Sequence, residues 1–254
     1  MTGARWDGCL PNELSRQWDV PLVDTHESVG STNDRAAELA RDGAPAWTVV
    51  VANEQTAGRG RRGDSWFSPP GSGLWMSVLL GDRRALPQLP LLVGLACAEA
   101  IEKHLDGVRI GLKWPNDLFL AGRKVGGVLC ERAEETVVAG IGINLRTPGG
   151  GFEAALSMIA ISLEAESGKT LLRSALAGTI LRSLREILVG EGAFASALPR
   201  LEARDVLSGR GVMAERCGPG IARGIDASGA LVVERPDTTR VRVISGSVRL
   251  LDVH

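Results

Sequence analysis

The stretch from residue 108 to 143 most narrows what this chain can fold into. It carries apolar or β-branched runs at 108–114, 117–120, 124–131 and 136–143, with gaps too short for a helix. Ala121-Gly122 supplies one of the turns between them. Parallel neighbours need a crossover of roughly a dozen residues or more, whereas antiparallel ones join through tight turns. The spacing therefore predicts a largely antiparallel sheet, not a βαβ winding. Further strands are expected at 22–28, 47–52 and 74–80. Between the first two, Ser31 or Thr32 reads as a helix N-cap, with Asp34 in the first turn. Ala36, Ala37, Leu39 and Ala40 continue that helix and Gly43 closes it. Helices are also expected at 89–105, 152–166 and 170–201, the last broken at Gly190 and Gly192.

The pattern changes near Arg204. From Asp205 onward, short β-rich runs alternate with turns at 211–216, 220–226, 230–234, 240–244 and 247–251. Three segments follow from this: an N-terminal extension, 1–21, without a strong pattern; a main α+β domain, 22–204; and a small β-barrel-like module, 205–254. The module is of marginal size for folding alone and is expected to dock on the larger domain. No internal repeat is visible.

Charge and cysteine content exclude several classes of function. Lysine and arginine number 29 against 30 acidic residues, a net charge of −1. A dedicated binder of nucleic acid or anionic membrane would carry a basic excess. No apolar run reaches bilayer length, and the longest, 91–101, contains Glu99. The N-terminus has no apolar core of a secretory signal. Cys9, Cys97, Cys130 and Cys217 are far apart, and with only His26, His104 and His254 beside them no zinc spacing exists. The expectation is a cytoplasmic protein with reduced thiols.

Two glycine motifs mislead. Gly58 to Gly63 satisfies G-x-G-x-x-G, but a dinucleotide fingerprint sits directly between strand and helix. Here Asn53 to Ala57 intervene before it, and Pro69-Pro70 follow. Ser167-Gly168-Lys169-Thr170 resembles the end of a P-loop, but Leu163 stands where its first glycine belongs.

The GRGRRG string has two readings. It is a solvated basic loop or an RNA-touching patch, or else a cradle of exposed amides and guanidinium groups for carboxylate and phosphate oxygens. Lys113-Trp114-Pro115-Asn116-Asp117 is an ordinary turn, or it places a carboxylate where Mg²⁺ can meet phosphates. Lys124 opens an apolar strand, either as a snorkelling lysine or as one aimed at a phosphoryl group. The glycines of Gly140-Ile141-Gly142-Ile143-Asn144 allow tight packing, or let a ligand lie against the sheet.

Taken together these strings carry a resemblance. Ser31-Thr32-Asn33, Gln55 to Gly63, Trp66-Phe67-Ser68, Lys113 to Asp117, Arg123-Lys124 with Gly127, and Gly140 to Asn144 follow the order and approximate spacing of biotin protein ligases. Gly224 to Leu231 resembles that family's small SH3-like domain. The likeness covers roughly residues 22 to 254. It implies an α+β fold: a class II aminoacyl-tRNA synthetase/biotin ligase-like mixed sheet with helices, plus a C-terminal SH3-like β-barrel. It also implies two steps: biotin and MgATP give biotinyl-5′-AMP and pyrophosphate, and the acyl group then passes to a lysine of a biotin carboxyl carrier protein.

By the same resemblance, Lys124 and Arg61 are catalytic. Biotin contacts fall to Ser31, Thr32, Asn33, Gln55, Gly58, Arg59, Gly60, Arg61, Lys124, Leu129, Gly140 and Gly142. ATP contacts fall to Arg61, Arg62, Trp66, Asn116, Lys124 and Asn144, and Asp117 is the Mg²⁺ ligand. Relatives dimerise through a sheet edge, so a homodimer is compatible with it. Bifunctional relatives carry an N-terminal helix-turn-helix domain; about 20 residues precede the first strand here, so a ligase without DNA binding is expected. Asp64 stands where a basic residue is often seen. Residues 147–160, expected over the adenine, are glycine-rich and match the family poorly, which leaves adenine contacts unassigned. A lipoate or octanoate ligase or transferase of the same fold is the alternative, followed by an RNA-binding protein using the arginine loop.

Overall fold

The computed structural model describes residues 4–82, 87–190 and 192–251. The outermost residues of the two expected end segments, 1–3 and 252–254, lie outside them. In chain order the elements of the large domain begin with α1 (Pro11–Trp18), β1 (Val23–Val29), α2 (Thr32–Arg41), β2 (Val49–Gln55) and β3 (Gly73–Leu79). They continue with α3 (Leu89–His104), β4 (Gly111–Lys113), β5 (Asp117–Leu120), β6 (Arg123–Ala133) and β7 (Thr136–Asn144). The helices α4 (Ala154–Ser157), α5 (Leu163–Ser167), α6 (Arg173–Ile187) and α7 (Ala193–Glu202) complete it.

The strands form one seven-stranded sheet in the order β1-β2-β3-β7-β6-β5-β4. All neighbours from β2 to β4 run antiparallel, as the short turns predict. At the other edge β1 runs parallel to β2, so β1-α2-β2 is a single βαβ unit. This one parallel pair makes a largely antiparallel sheet mixed, as the resemblance implies, and α2 fills the crossover. It lays Ala36 and Leu39 on Val50, Leu79 and Val138. Val49 and Val51 point to the opposite face, into the main core with α3 and α6. A strand covered on both faces reads as an unbroken apolar run, which is why residues 47–52 show no alternation.

Residues 4–20, which show no pattern in the sequence, are built into that same core. Trp6, Leu14 and Trp18 are buried, and Trp6 meets Trp18 edge to face with ring centroids 6.0 Å apart. The Trp18 indole N–H donates to the Ser174 carbonyl at 3.0 Å. Gly178 makes room for that ring, since a Cβ there would sit 2.8 Å from Trp18 Cδ1. Asp7 pairs with Arg173 at 2.7 Å and accepts the Ser174 backbone N–H at 2.9 Å, capping the first turn of α6.

The helix expected over 152–166 is interrupted. The Lys124 N–H donates to Ile159 O at 2.7 Å, and the Ile161 N–H donates to Lys124 O at 3.0 Å. These bonds hold the chain extended between α4 and α5 and lay it along the start of β6.

The C-terminal module is a five-stranded antiparallel sheet of β8 (Gly211–Ala214), β9 (Gly218–Ile225), β10 (Leu231–Glu234), β11 (Arg240–Val243) and β12 (Val248–Leu250). Its order is β11-β10-β9-β8-β12. The linker into it pairs with β4: Leu112 N–H donates to Arg204 O at 2.7 Å and Val206 N–H to Leu112 O at 3.1 Å. The Trp114 indole N–H donates to Gly229 O at 3.0 Å, and Gln88 Nε2 donates to Ser228 O at 2.9 Å. The module is thus docked against the edge of the large domain that carries Lys113 to Asp117. Among the described residues no helix is long and apolar enough to cross a membrane.

Candidate active site

A cavity of about 200 Å³ opens where β6 and β7 meet the N-terminus of α2, the loop after β2 and the C-terminal module. Its floor needs glycine. A Cβ at Gly140 would lie 2.2 Å from Asn33 Oδ1, and one at Gly142 would lie 2.5 Å from Trp66 Nε1. Both glycines pair with neighbours on each side of β7, so the backbone cannot retreat. Both glycines allow close approach: Asn33 packs over Gly140 and Trp66 over Gly142, and both glycines also line the cavity. The space is taken by two of the protein's own side chains, and these face the cavity.

The α2 end of the cavity is a chain of hydrogen bonds. Gln55 Oε1 accepts from the Thr32 backbone N–H at 2.9 Å and from the Thr32 hydroxyl at 3.0 Å. Gln55 Nε2 donates to Ser68 Oγ at 2.8 Å, and the Ser68 hydroxyl donates to Trp66 O at 3.0 Å. Ser77, buried in the middle of β3, donates to Asn33 Oδ1 at 2.7 Å and lies 2.8 Å from Thr32 Oγ1. Asn33 Nδ2 donates to Glu131 Oε2 at 2.7 Å. Buried hydroxyl and amide groups at one end of a cavity favour a ligand that offers matching donors and acceptors.

The opposite end is cationic. Lys124 Nζ lies 2.7 Å from Asp117 Oδ1 and 5.1 Å from the centre of the Trp66 ring. Lys113 Nζ lies 4.0 Å from Asp117 Oδ2. Burial lowers the pKa of Lys113 from its ordinary value despite Asp117, and the charges of Lys124 and Arg249 act in the same direction as burial. Asn116 pins this turn to β6, donating from Nδ2 to Val128 O at 2.8 Å and accepting from Val128 N–H at 2.9 Å.

The loop between these ends is held on three sides. Gly60 N–H donates to Asp64 O at 2.7 Å and Trp66 N–H to Gly58 O at 2.8 Å, so Gly58 and Trp66 close its base. Arg59 reaches back to Glu131 and Asp34. Arg61 donates to Asn116 Oδ1 at 3.2 Å and to Gly246 O at 3.5 Å. Burial lowers the Arg61 pKa, partly offset by Asp117. Arg62 pairs with Glu215 of the C-terminal module.

The cavity brings together Ser31, Thr32, Asn33, Gln55, Arg59, Gly60, Arg61, Arg62, Trp66, Asn116, Asp117, Lys124, Leu129, Gly140 and Gly142. Two residues expected in the site are outside its lining. Gly58 is buried at the base of the loop, where a Cβ would lie 2.8 Å from Ser68 Oγ. Asn144 turns away and donates from Nδ2 to Ile161 O at 3.2 Å, tying the extended segment after α4 to the end of β7. Lys113, Gly127 and residues 246–248 also line the cavity and were not among the expected site residues. Lys113 belongs to a string already singled out; residues 246–248 arrive from the second domain and carry no local signal.

The donor set does not fit a magnesium ion held by the protein. Both oxygens of Asp117 face lysines, and among the described residues no group of three or more His, Cys, Asp or Glu side chains gathers to hold a metal. A dication placed on Asp117 would meet two ammonium groups at close range.

Residues 26–147 match the biotin/lipoate A/B protein ligase family, and residues 208–251 match the biotin protein ligase C-terminal domain. The bifunctional ligase/repressor BirA of Bacillus subtilis is 41% identical over 61% of the chain, which spans 50% of that relative's length. A biotin–[acetyl-CoA-carboxylase] ligase of Paracoccus denitrificans is 34% identical over 81% of the chain and 91% of its own length. The biotin protein ligase of Aquifex aeolicus in complex with biotin and ATP superposes with a TM-score of 0.81 at 29% identity, covering 90% of this chain and 98% of that one. A chain with both domains, this sheet order and this cavity belongs to the biotin protein ligase family.

Proposed function

We propose that the protein is an ATP-dependent biotin protein ligase that activates biotin as biotinyl-5′-AMP and passes it to a lysine of a biotin carboxyl carrier protein. The observation that carries this reading is the join of two chemistries in one cavity. A buried hydrogen-bonding end at Thr32, Asn33 and Gln55 runs into a cationic end at Arg61, Lys113 and Lys124. The first suits a ureido ring, which offers two N–H donors and one carbonyl acceptor. The second suits a carboxylate meeting a phosphate. Relatives named as biotin ligases, and a solved homologue holding biotin and ATP, support the same pair of substrates.

In the first step an oxygen of the biotin carboxylate attacks the α-phosphorus of ATP and pyrophosphate leaves. Two anions must approach, so the residues contribute mainly fixed positive charge. Lys124 and Arg61 take that role. Lys124 gives up its contact with Asp117 as the carboxylate and α-phosphate arrive, and Asp117 keeps Lys113 as its partner. Mg²⁺ enters as part of the substrate MgATP, and no step is assigned to a protein-held ion. The arginine loop then shields the mixed anhydride from water. In the second step the neutral amine of the acceptor lysine attacks the acyl carbon, AMP leaves, and the amine proton passes to solvent. The free cysteines Cys9, Cys97, Cys130 and Cys217 agree with a reducing cytoplasm as the site of reaction.

Exchange of labelled pyrophosphate into ATP, driven by biotin, lipoate or octanoate in parallel, tests the reading. Exchange with biotin alone is the expected result. Exchange with lipoate in its place would transfer the site to the alternative substrate, and no exchange with any acid would remove the ligase reading.

A further inference from the structure

Glu131 lies outside the cavity lining, yet two parts of the site converge on its carboxylate. Asn33 Nδ2 donates to Oε2 at 2.7 Å. Arg59 forks onto the same group, Nη1 to Oε1 at 2.9 Å and Nη2 to Oε2 at 2.8 Å, while its Nη2 also reaches Asp34 Oδ1 at 2.6 Å. The carboxylate therefore bridges a side chain beneath the biotin-head pocket and the first arginine of the glycine-rich loop.

The bridge decides which way Asn33 faces. An ionised carboxylate only accepts hydrogen bonds, and so does the Leu129 carbonyl, 3.3 Å from Asn33 Nδ2. With both acceptors on the β6 side, the amide nitrogen must lie there, and the amide oxygen must lie over Gly140, where the Ser77 hydroxyl donates to it at 2.7 Å. An amide oxygen on the cavity side accepts from a ring N–H; a flipped amide would repel one.

We propose that Glu131 is a positioning residue that sets the orientation of Asn33 for biotin and anchors the arginine loop through Arg59. It touches neither biotin nor ATP. The proposal rests on the biotin ligase reading for its substrate, but the loop anchor does not.

The test compares wild type, Glu131→Gln, Glu131→Ala and Asp34→Asn. Initial rates of biotin-driven pyrophosphate exchange give KM for biotin, KM for ATP and kcat. Limited trypsin digestion, with fragments read by mass spectrometry, gives the cleavage rate at Arg59, Arg61 and Arg62. Glu131→Ala should raise the biotin KM about tenfold, the cost of leaving one N–H of a buried amide without its acceptor, with a smaller rise in the ATP KM from the loosened loop. Glu131→Gln can still offer a carbonyl to Asn33, so its biotin KM should stay within about threefold while loop cleavage rises about fivefold for loss of the ionic fork. Asp34→Asn should speed cleavage and leave the biotin KM alone.

An unchanged biotin KM in Glu131→Ala overturns the orienting role, as does an equal rise in the ATP KM. Unchanged cleavage in both Glu131 variants overturns the anchor. If Glu131→Ala fails to fold, the conservative variants decide. A Glu131→Gln protein with biotin KM raised as far as about tenfold, or with wild-type cleavage, refutes the proposal. A wild-type protein that neither binds nor exchanges biotin removes the ligase reading and the Asn33 role with it, while the cleavage rates still judge the anchor.

Discussion

Replacing Gly142 with alanine tests whether Trp66 is a positioned wall of the site. The new Cβ would stand 2.5 Å from Trp66 Nε1, 2.6 Å from Cε2 and 2.9 Å from Cζ2. Ordinary contacts between such atoms lie near 3.5–4.0 Å, so roughly 1 Å of separation must be found. The strand cannot supply it, because Gly142 pairs with Trp75 on β3 and Gly127 on β6. The indole has to move instead. Trp75 meets it edge to face at 6.5 Å, and the Lys124 ammonium sits 5.1 Å from its ring centre, so the free direction is into the cavity. Overpacking usually costs about 1–3 kcal/mol, and the open side holds this case near the lower end. For a chain of this length that is a fall in melting temperature of about 2–4 °C. Activity should fall much further, because a misplacement of about 1 Å near the reacting groups costs on the order of a hundredfold. Differential scanning fluorimetry and biotin-driven pyrophosphate exchange read the two effects separately. A G142A protein that melts a few degrees lower yet exchanges at the wild-type rate would show that Trp66 has no fixed place in the reaction, and the reasoning would fail.

Lys124→Ala should lower kcat for exchange about 10²–10³-fold, the usual effect of removing one preorganised group that stabilises transition-state charge, with a much smaller change in biotin binding by calorimetry. Trp18→Ala should destabilise the protein by about 3–5 kcal/mol in urea titrations, because it empties a site enclosed by α1 and α6. A loss within about 0.5 kcal/mol would mean that α1 is not part of the core. Asp226 bears on pH. Burial raises its pKa, but the Ser228 hydroxyl, Arg242 and the N–H groups of Ser228 and Ala230 outweigh that and hold it at about 2, below the ordinary 3.8. A depressed folded-state value means stability that is present above about pH 4 and lost as pH falls toward about 2. Asp226→Asn should therefore melt below wild type at neutral pH, and the two curves should converge in acid; a gap that persists at pH 2 would refute the assignment.

How far the molecule can be read from its residues depends on the range of the contact. Strands β3 to β7 and the five strands of the C-terminal module follow from short apolar or β-branched runs and tight turns, and each lies within a few residues of its expected place. Helix α1 leaves no such trace. Its core contacts are Leu14 and Trp18, too few to establish a period, and the Trp18 partner Ser174 lies 156 residues away. The break between α4 and α5 has the same origin, because the backbone that interrupts the helix belongs to Lys124.

The site divides along the same line. Lys124 stands out because a lysine opening an apolar strand has little polar company, whereas Ser31 to Asn33 and Gln55 are legible as site residues only through the family resemblance. Ser77 and Glu131 do not stand out. Ser77 is the polar break in an otherwise apolar strand and Glu131 the charged residue near the end of β6, yet the first is fully buried with its hydroxyl on Asn33 and the second grips a loop from across the sheet. Asn144 is the converse case: a polar residue in a motif, at the end of a strand, outside the cavity lining, whose amide nitrogen donates to the Ile161 carbonyl. The glycines of β7 sit between these cases. Absence of a side chain signals that something approaches closely, but not what. Here the approaching groups are Asn33 and Trp66, so a side chain added at Gly140 or Gly142 first displaces one of those two walls of the cavity.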